Sequence, residues 1–275
     1  MPSLTYRTWR AKNEARRAAR GPVSTVLARA GLTARGVIYL LVGLVAVLIA
    51  IGHSGREADQ SGALKLLAGQ PLGLVALWLL GLGFAAFALW QLSEAAFGVI
   101  GADPGAGPRL RALFSAIPYA GLSVLTFSVI VGAGGSQAKR QQDWSARAML
   151  YPGGRWAVGI VGLVIAIVGL VLAVQGVRAT FMRLLDTSQM SPRTEALVKW
   201  LGIIGSVARG LIFALAGALV VQAAVEFQPS KARGLDQALL TLRNQPFGEV
   251  LLGLAALGLI VFGIYALCEA RWHKT

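Results

Sequence analysis

The 275-residue sequence predicts an all-α integral membrane protein, with six transmembrane helices forming three tandem parallel αα-hairpin repeats and short interfacial helices on the outer face. Three features predict it: an apolar composition, six long uncharged runs and an internal repeat. Hydrophobic residues make up 56% of the chain, charged residues only 14%, and the mean hydropathy is +0.64. That leaves too little polar surface to cover the two soluble domains such a length would otherwise suggest.

The apolar runs cover residues 36–51, 71–93, 112–131, 156–177, 210–225 and 250–268. About 20 residues are needed to cross a ~30 Å hydrocarbon core. Two runs are short, at 16 residues each, but Arg35 and Arg209 can snorkel and the apolar residues before them complete the length. Continuous runs exclude an outer-membrane barrel, whose strands alternate in character.

Basic residues set the expected orientation. Of 26 Lys and Arg, 17 fall on the side of the termini and nine on the other, so both termini are expected in the cytoplasm. This asymmetry accounts for most of the net charge of +14 without nucleic acid as a partner. Residues 1–29 form a basic arm with seven Lys or Arg and one acid, suited to anionic membrane lipids.

Sliding residues 31–51 by 174 positions gives nine identities in 21, and sliding 63–95 by 175 gives 15 in 33. Unrelated apolar helices match at roughly one position in ten, and the identities include Arg, Gln, Pro and Glu, which hydrophobicity does not dictate. A weaker third copy aligns Tyr119 with Tyr39, and Pro152 and Gly154 with Pro71 and Gly73. The organisation is an arm (1–29) and repeats at 30–98, 108–180 (divergent) and 201–272, arranged as a pseudo-threefold ring. Pro71, Pro152 and Pro246 are expected in the first turn of each returning helix. Before two of them, Ala63, Leu64 and Leu67, and Ala238, Leu239 and Leu242, are spaced for a short helix lying on the membrane. Gly210, Ala214 and Ala218 form a small-residue stripe, and Gly162 and Ala166 begin another, both read as packing surfaces within the bundle.

The pattern Ala-Arg-Gly-x-Ile-(Tyr/Phe), then Ala-Leu-x-x-Leu-x-x-Gln-Pro-(Leu/Phe)-Gly, then Glu-Ala closing the next span, resembles the bacterial membrane-protein family catalogued as domain of unknown function 1206. The resemblance implies tandem two-helix units and a bacterial inner-membrane location. It carries no activity and no catalytic residues.

Few polar residues lie near the spans. Arg35 and Arg209 open their hairpins at the depth where Glu94 and Glu269 close them, so Arg35–Glu94 and Arg209–Glu269 ion pairs are expected, within a hairpin or across to the next. The middle repeat has Ser115 and Gln175 in place of both charges. A second feature is the polar face Ser115, Tyr119, Ser123 and Thr126, with Gln175 on the returning helix, a candidate solute path. The two histidines, His53 and His273, fall on opposite sides of the membrane, and Cys268 is the sole cysteine. No metal, cofactor or enzyme motif is read from the chain. The expectation is a non-catalytic scaffold, accessory or envelope component with a membrane-protein partner. The alternative is a channel or carrier for a small solute.

Overall fold

A computed structural model describes residues 22–52, 57, 59–97 and 106–273. Most of the basic arm, His53 and residues 98–105 lie outside the described residues. The described chain holds nine α-helices. Six are long and apolar enough to cross a membrane: α1 (Pro22–Ala50), α3 (Gly73–Phe97), α4 (Ala106–Ile130), α6 (Gly154–Val177), α7 (Pro192–Glu226) and α9 (Gly248–Trp272). Three short helices connect them at the end away from the termini: α2 (Gln60–Ala68), α5 (Gln137–Met149) and α8 (Leu235–Arg243). Each repeat is therefore a long helix, a short helix and a returning long helix.

Two long helices start earlier than the apolar runs suggest. α1 begins at Pro22, inside the sequence-defined arm, and α7 begins at Pro192, well before residue 201. Ser191 caps α7 by accepting from the Thr194 N–H, and Pro192 follows where its missing N–H costs nothing. The 35 residues of α7 extend over about 52 Å at 1.5 Å per residue, longer than a ~30 Å hydrocarbon core. The linker before it is held rather than loose: Leu185 is fully buried, and the Asp186 N–H donates to the Trp272 carbonyl at 2.8 Å.

Packing follows the ring order. α6 lies along α7, α9 along α1, and α3 along α4, so the closest pairings join the returning helix of one repeat to the outgoing helix of the next. Within the first and third repeats, α1 touches α3 and α7 touches α9 less extensively. In the middle repeat α4 and α6 do not pack side by side. The result is a threefold ring with one open seam. Its centre is apolar, filled by Ile38, Val42, Leu77, Phe84, Leu125, Ile212, Leu252 and Leu259.

The short helices seal one end of this ring. Ala63, Leu64, Ala238 and Leu239 are fully buried in the central core, so the apolar faces of α2 and α8 pack on the bundle. Asp59 ties two repeats together: Oδ1 accepts from the Ser61 and Gly62 N–H groups at 2.8 and 3.0 Å, and Oδ2 from the Ala138 N–H at 3.2 Å. One carboxylate thus sits at the positive N-termini of both α2 and α5. Burial works against the neighbouring Glu57 carboxylate, but hydrogen bonds from Ser136 and Ser61, with Lys65 and Arg233 nearby, hold its pKa below the ordinary value. Its contribution to stability is present at neutral pH and fades as acid protonates it.

The Pro-x-Gly corners differ from the sequence expectation. The prolines stand two residues before the helix starts, and the residue between has a left-handed φ: 63° at Leu72, 79° at Gly153 and 60° at Phe247. The Gly73 N–H donates to the Gln70 carbonyl at 2.9 Å, and the Gly154 N–H to that of Tyr151 at 3.0 Å, closing turns with proline at the second position. The glycine after the turn is required by space. A Cβ would lie 1.9 Å from the Leu67 oxygen at Gly73, 1.7 Å from the Ala148 oxygen at Gly154, and 1.8 Å from the Arg243 oxygen at Gly248. Gly248→Ala is therefore expected to destabilise by about 2 kcal/mol, because rigid backbone must move. Gly253→Ala, where the added methyl meets nothing within 4 Å, is the control in the same helix, and equal melting temperatures in detergent would contradict the corner's role.

Candidate functional site

The three junctions between repeats share one register, set by small residues. At the third-to-first junction, a Cβ on Gly36 would lie 2.9 Å from the Gly263 oxygen, and one on Gly43 3.0 Å from the Ala256 oxygen. At the second-to-third, the matching Gly210 and Gly217 face the Gly169 and Gly162 oxygens, each at 2.7 Å. At the first-to-second junction Ser123 takes the place of Gly43, and its hydroxyl donates at 3.0 Å to the Gly81 carbonyl, the counterpart of Ala256. Backbone approach this close is what small residues permit in lipid. The working stripe on α7 is Gly210, Ala214 and Gly217, while Ala218 is exposed, a correction to the sequence-based stripe.

Above these contacts, towards the termini, lies a matched set of aromatics. Tyr39 and Phe262 pack edge to face at 4.8 Å between ring centroids, and in the same register Tyr119 and Phe87 do so at 4.4 Å. The third junction has Phe213 and Val168 in these places. Around the Phe262 ring Arg35, Arg209 and Glu269 collect.

Arg35 on α1 forms an ion pair with Glu269 on α9, their side chains 13% and 8% exposed. The pair joins the third repeat to the first, so Arg35 meets Glu269 and not Glu94, and Glu269 is paired with Arg35 and not with Arg209. Tyr119 lies on the Arg35 side of the pair and Tyr265 on the Glu269 side. Arg209 takes another course. Its guanidinium lies over the rings of Tyr39, Phe213 and Phe262, with Cζ 5.2, 5.2 and 4.8 Å from their centroids. Such stacking is worth about 0.5–2 kcal/mol, more as water is excluded. Its Nε is buried without a hydrogen-bond partner, and no described carboxylate lies within ion-pair distance. Arg35 stacks on the same ring, with Cζ 5.4 Å from the Phe262 centroid.

The register explains the arrangement. Glu269 stands to Arg35 as Gln175 stands to Arg209 and as Glu94 stands to Ser115. Replacing both charges in the middle repeat therefore alters the two junctions on either side of it, leaving the full pair at the third.

The candidate solute-path residues separate. Ser123 is spent on Gly81, and Thr126, fully buried, donates back to the Leu122 carbonyl of its own helix at 2.7 Å. Tyr119 packs against Phe84 and Phe87 and turns towards Arg35. Ser115 and Gln175 are partly buried, on the two helices flanking the open seam. Sequence reading passed over Phe262, Tyr265 and Pro118, the last lying inside α4 one residue before Tyr119. The aromatic at the position of Tyr39 in every repeat was the signal that could have found the cluster.

Chemically the cluster is two cations, one carboxylate and a cage of aromatic and phenolic groups at the rim of an apolar bundle. Among the described residues no three His, Cys, Asp or Glu come together as metal ligands.

Comparisons with known proteins agree with the architecture. The family model described as Domain of Unknown Function (DUF1206) matches three times, at residues 30–98, 110–179 and 204–273. A relative from Bacillus subtilis (strain 168), the uncharacterized protein YxxB, is 34% identical over 251 residues, covering 90% of each chain. No solved structure matches.

Proposed function

The chain belongs to the DUF1206 family, and we propose that it is a non-catalytic scaffold or accessory component of the bacterial inner membrane. The observation that carries this reading is the filled centre of the ring: Ile38, Phe84, Leu125, Ile212 and Leu259 occupy it, and the Ser123 and Thr126 hydroxyls are satisfied inside the protein. Transport sites usually show ionisable groups or broken helices at mid-span. Here the charged cluster lies at the terminal end, clamped between repeats, as suits a rigid frame that presents its rim to a membrane-protein partner. The positive-inside bias puts the termini and the cluster in the cytoplasmic leaflet, with the basic arm on anionic lipid. Nucleic acid, metal and catalysis have no part in this reading.

Proteoliposomes test it. Vesicles containing the protein are expected to be no more permeable to glycerol, potassium or protons than protein-free vesicles. Flux abolished by Ser123→Leu with Thr126→Leu, but retained in Ser123→Gly, would replace the scaffold with the channel or carrier.

A further inference from the structure

The returning helix of the middle repeat leaves open the face that its counterparts bury. In register, Phe262 and Tyr265 of α9 correspond to Phe87 and Trp90 of α3 and to Val168 and Val171 of α6. The α9 pair is 2% exposed at both positions and the α3 pair 4% and 8%, whereas Val168 and Val171 are each 47% exposed. Two changes combine. The side chains are smaller, and α4, which would cover them in a closed ring, does not pack against α6.

This open strip ends at an unbalanced charge. One helical turn beyond Val171 stands Gln175, and opposite it in the junction register is Arg209, which, unlike Arg35, has no described carboxylate within ion-pair distance, while the Nε of each arginine is buried without a hydrogen-bond partner. Arg209 and Arg35 stack on one ring, Phe262, and Glu269 is given to Arg35, so the cluster carries one positive charge in excess. At the same junction of the third and first repeats, a carboxylate supplies the anion. At the second-to-third junction the protein supplies an amide and leaves the apolar strip uncovered.

We propose that the α4–α6 seam is a binding groove for one anionic phospholipid, its phosphate held by Arg209 and Gln175 and an acyl chain lying along Val171, Val168 and Val164. A free anion would neutralise Arg209 but leave the strip bare. A zwitterionic lipid would cover the strip but bring a second cation to a site already carrying an excess one. An anionic lipid does both, at the depth where Arg side chains meet headgroups.

The test is quantification of lipid retained through purification of the full chain in mild detergent, together with thermal shifts on adding phosphatidylglycerol, phosphatidylcholine or inorganic phosphate. The wild type is expected to retain phosphatidylglycerol well above its bulk fraction and to be stabilised by it alone. Arg209→Gln should weaken that retention roughly tenfold or more, since a charge-assisted contact is lost. Val168→Phe with Val171→Tyr, which rebuilds the α9 surface, should expel the lipid while leaving the protein folded, and it decides the matter if Arg209→Gln does not fold. Unchanged retention in the filled variant, equal stabilisation by phosphatidylcholine, or a full shift from phosphate alone would each overturn the lipid groove.

Discussion

Glu269→Gln is expected to destabilise the protein by about 3 kcal/mol, and Arg35→Gln by a similar amount, because each leaves the other charge stranded at the edge of lipid. The double change should cost much less than the sum. It removes both charges at once and leaves two amides able to hydrogen-bond, which is close to what the middle repeat does with Ser115 and Gln175. The coupling between the two positions should be about 2 kcal/mol, in the range for residues in direct contact. Thermal or denaturant unfolding in detergent measures it. The specificity of the cycle is the decisive part: Arg35 should couple to Glu269, from a helix more than two hundred residues away in sequence, more strongly than to Glu94 in its own hairpin. If Glu94→Gln gave the larger coupling, the inter-repeat clamp would be wrong.

That pairing marks the limit of what could be read from the chain. The threefold repeat was legible because Arg, Gln, Pro, Glu and Gly recur where apolarity alone would not keep them, as in Gln70-Pro71 and Gln245-Pro246. Which repeat touches which was not, since a helix in lipid offers the same apolar face to any neighbour. The joint loss of Arg and Glu in the middle repeat left pairing within a hairpin and across to the next equally open, and the structure joins returning helix to outgoing helix across repeats. The hydroxyl stripe fared likewise. Helical periodicity puts Ser115, Tyr119, Ser123 and Thr126 on one face, but Ser123 stands in the register of Gly43 and Gly217, so its hydroxyl is a contact to the next helix. Alignment of those three residues was the available clue. The left-handed Leu72 and Phe247 had none, because the sequence places a bulky residue where a turn of that shape favours glycine.

The junction between α6 and α7 is where a single side chain should do the most damage. A Cβ on Gly169 would stand 2.3 Å from the Ala214 nitrogen and 2.7 Å from the Gly210 oxygen, and one on Gly210 2.5 Å from the Ala173 nitrogen. Every one of these neighbours is backbone of the facing helix, so no rotamer change can make room. The two axes must separate. α6 depends on this contact because α4 gives it no support and its buried residues, Val158, Gly162, Gly169, Ala173 and Gly176, lie on the strip that meets α7. Gly169→Val is thus expected to cost more than about 3 kcal/mol, beyond ordinary overpacking, and to release α6 from the ring. Two measurements check it: loss of the cooperative melt in detergent, and protease sensitivity appearing in the segments that flank α6. Gly159→Val is the control on the same helix, where the nearest neighbour is the Ala224 Cβ at 3.6 Å, an ordinary contact. Were the two substitutions equally tolerated, the glycine contacts would not be what keeps α6 in the bundle, and some other element would have to hold the seam's far wall.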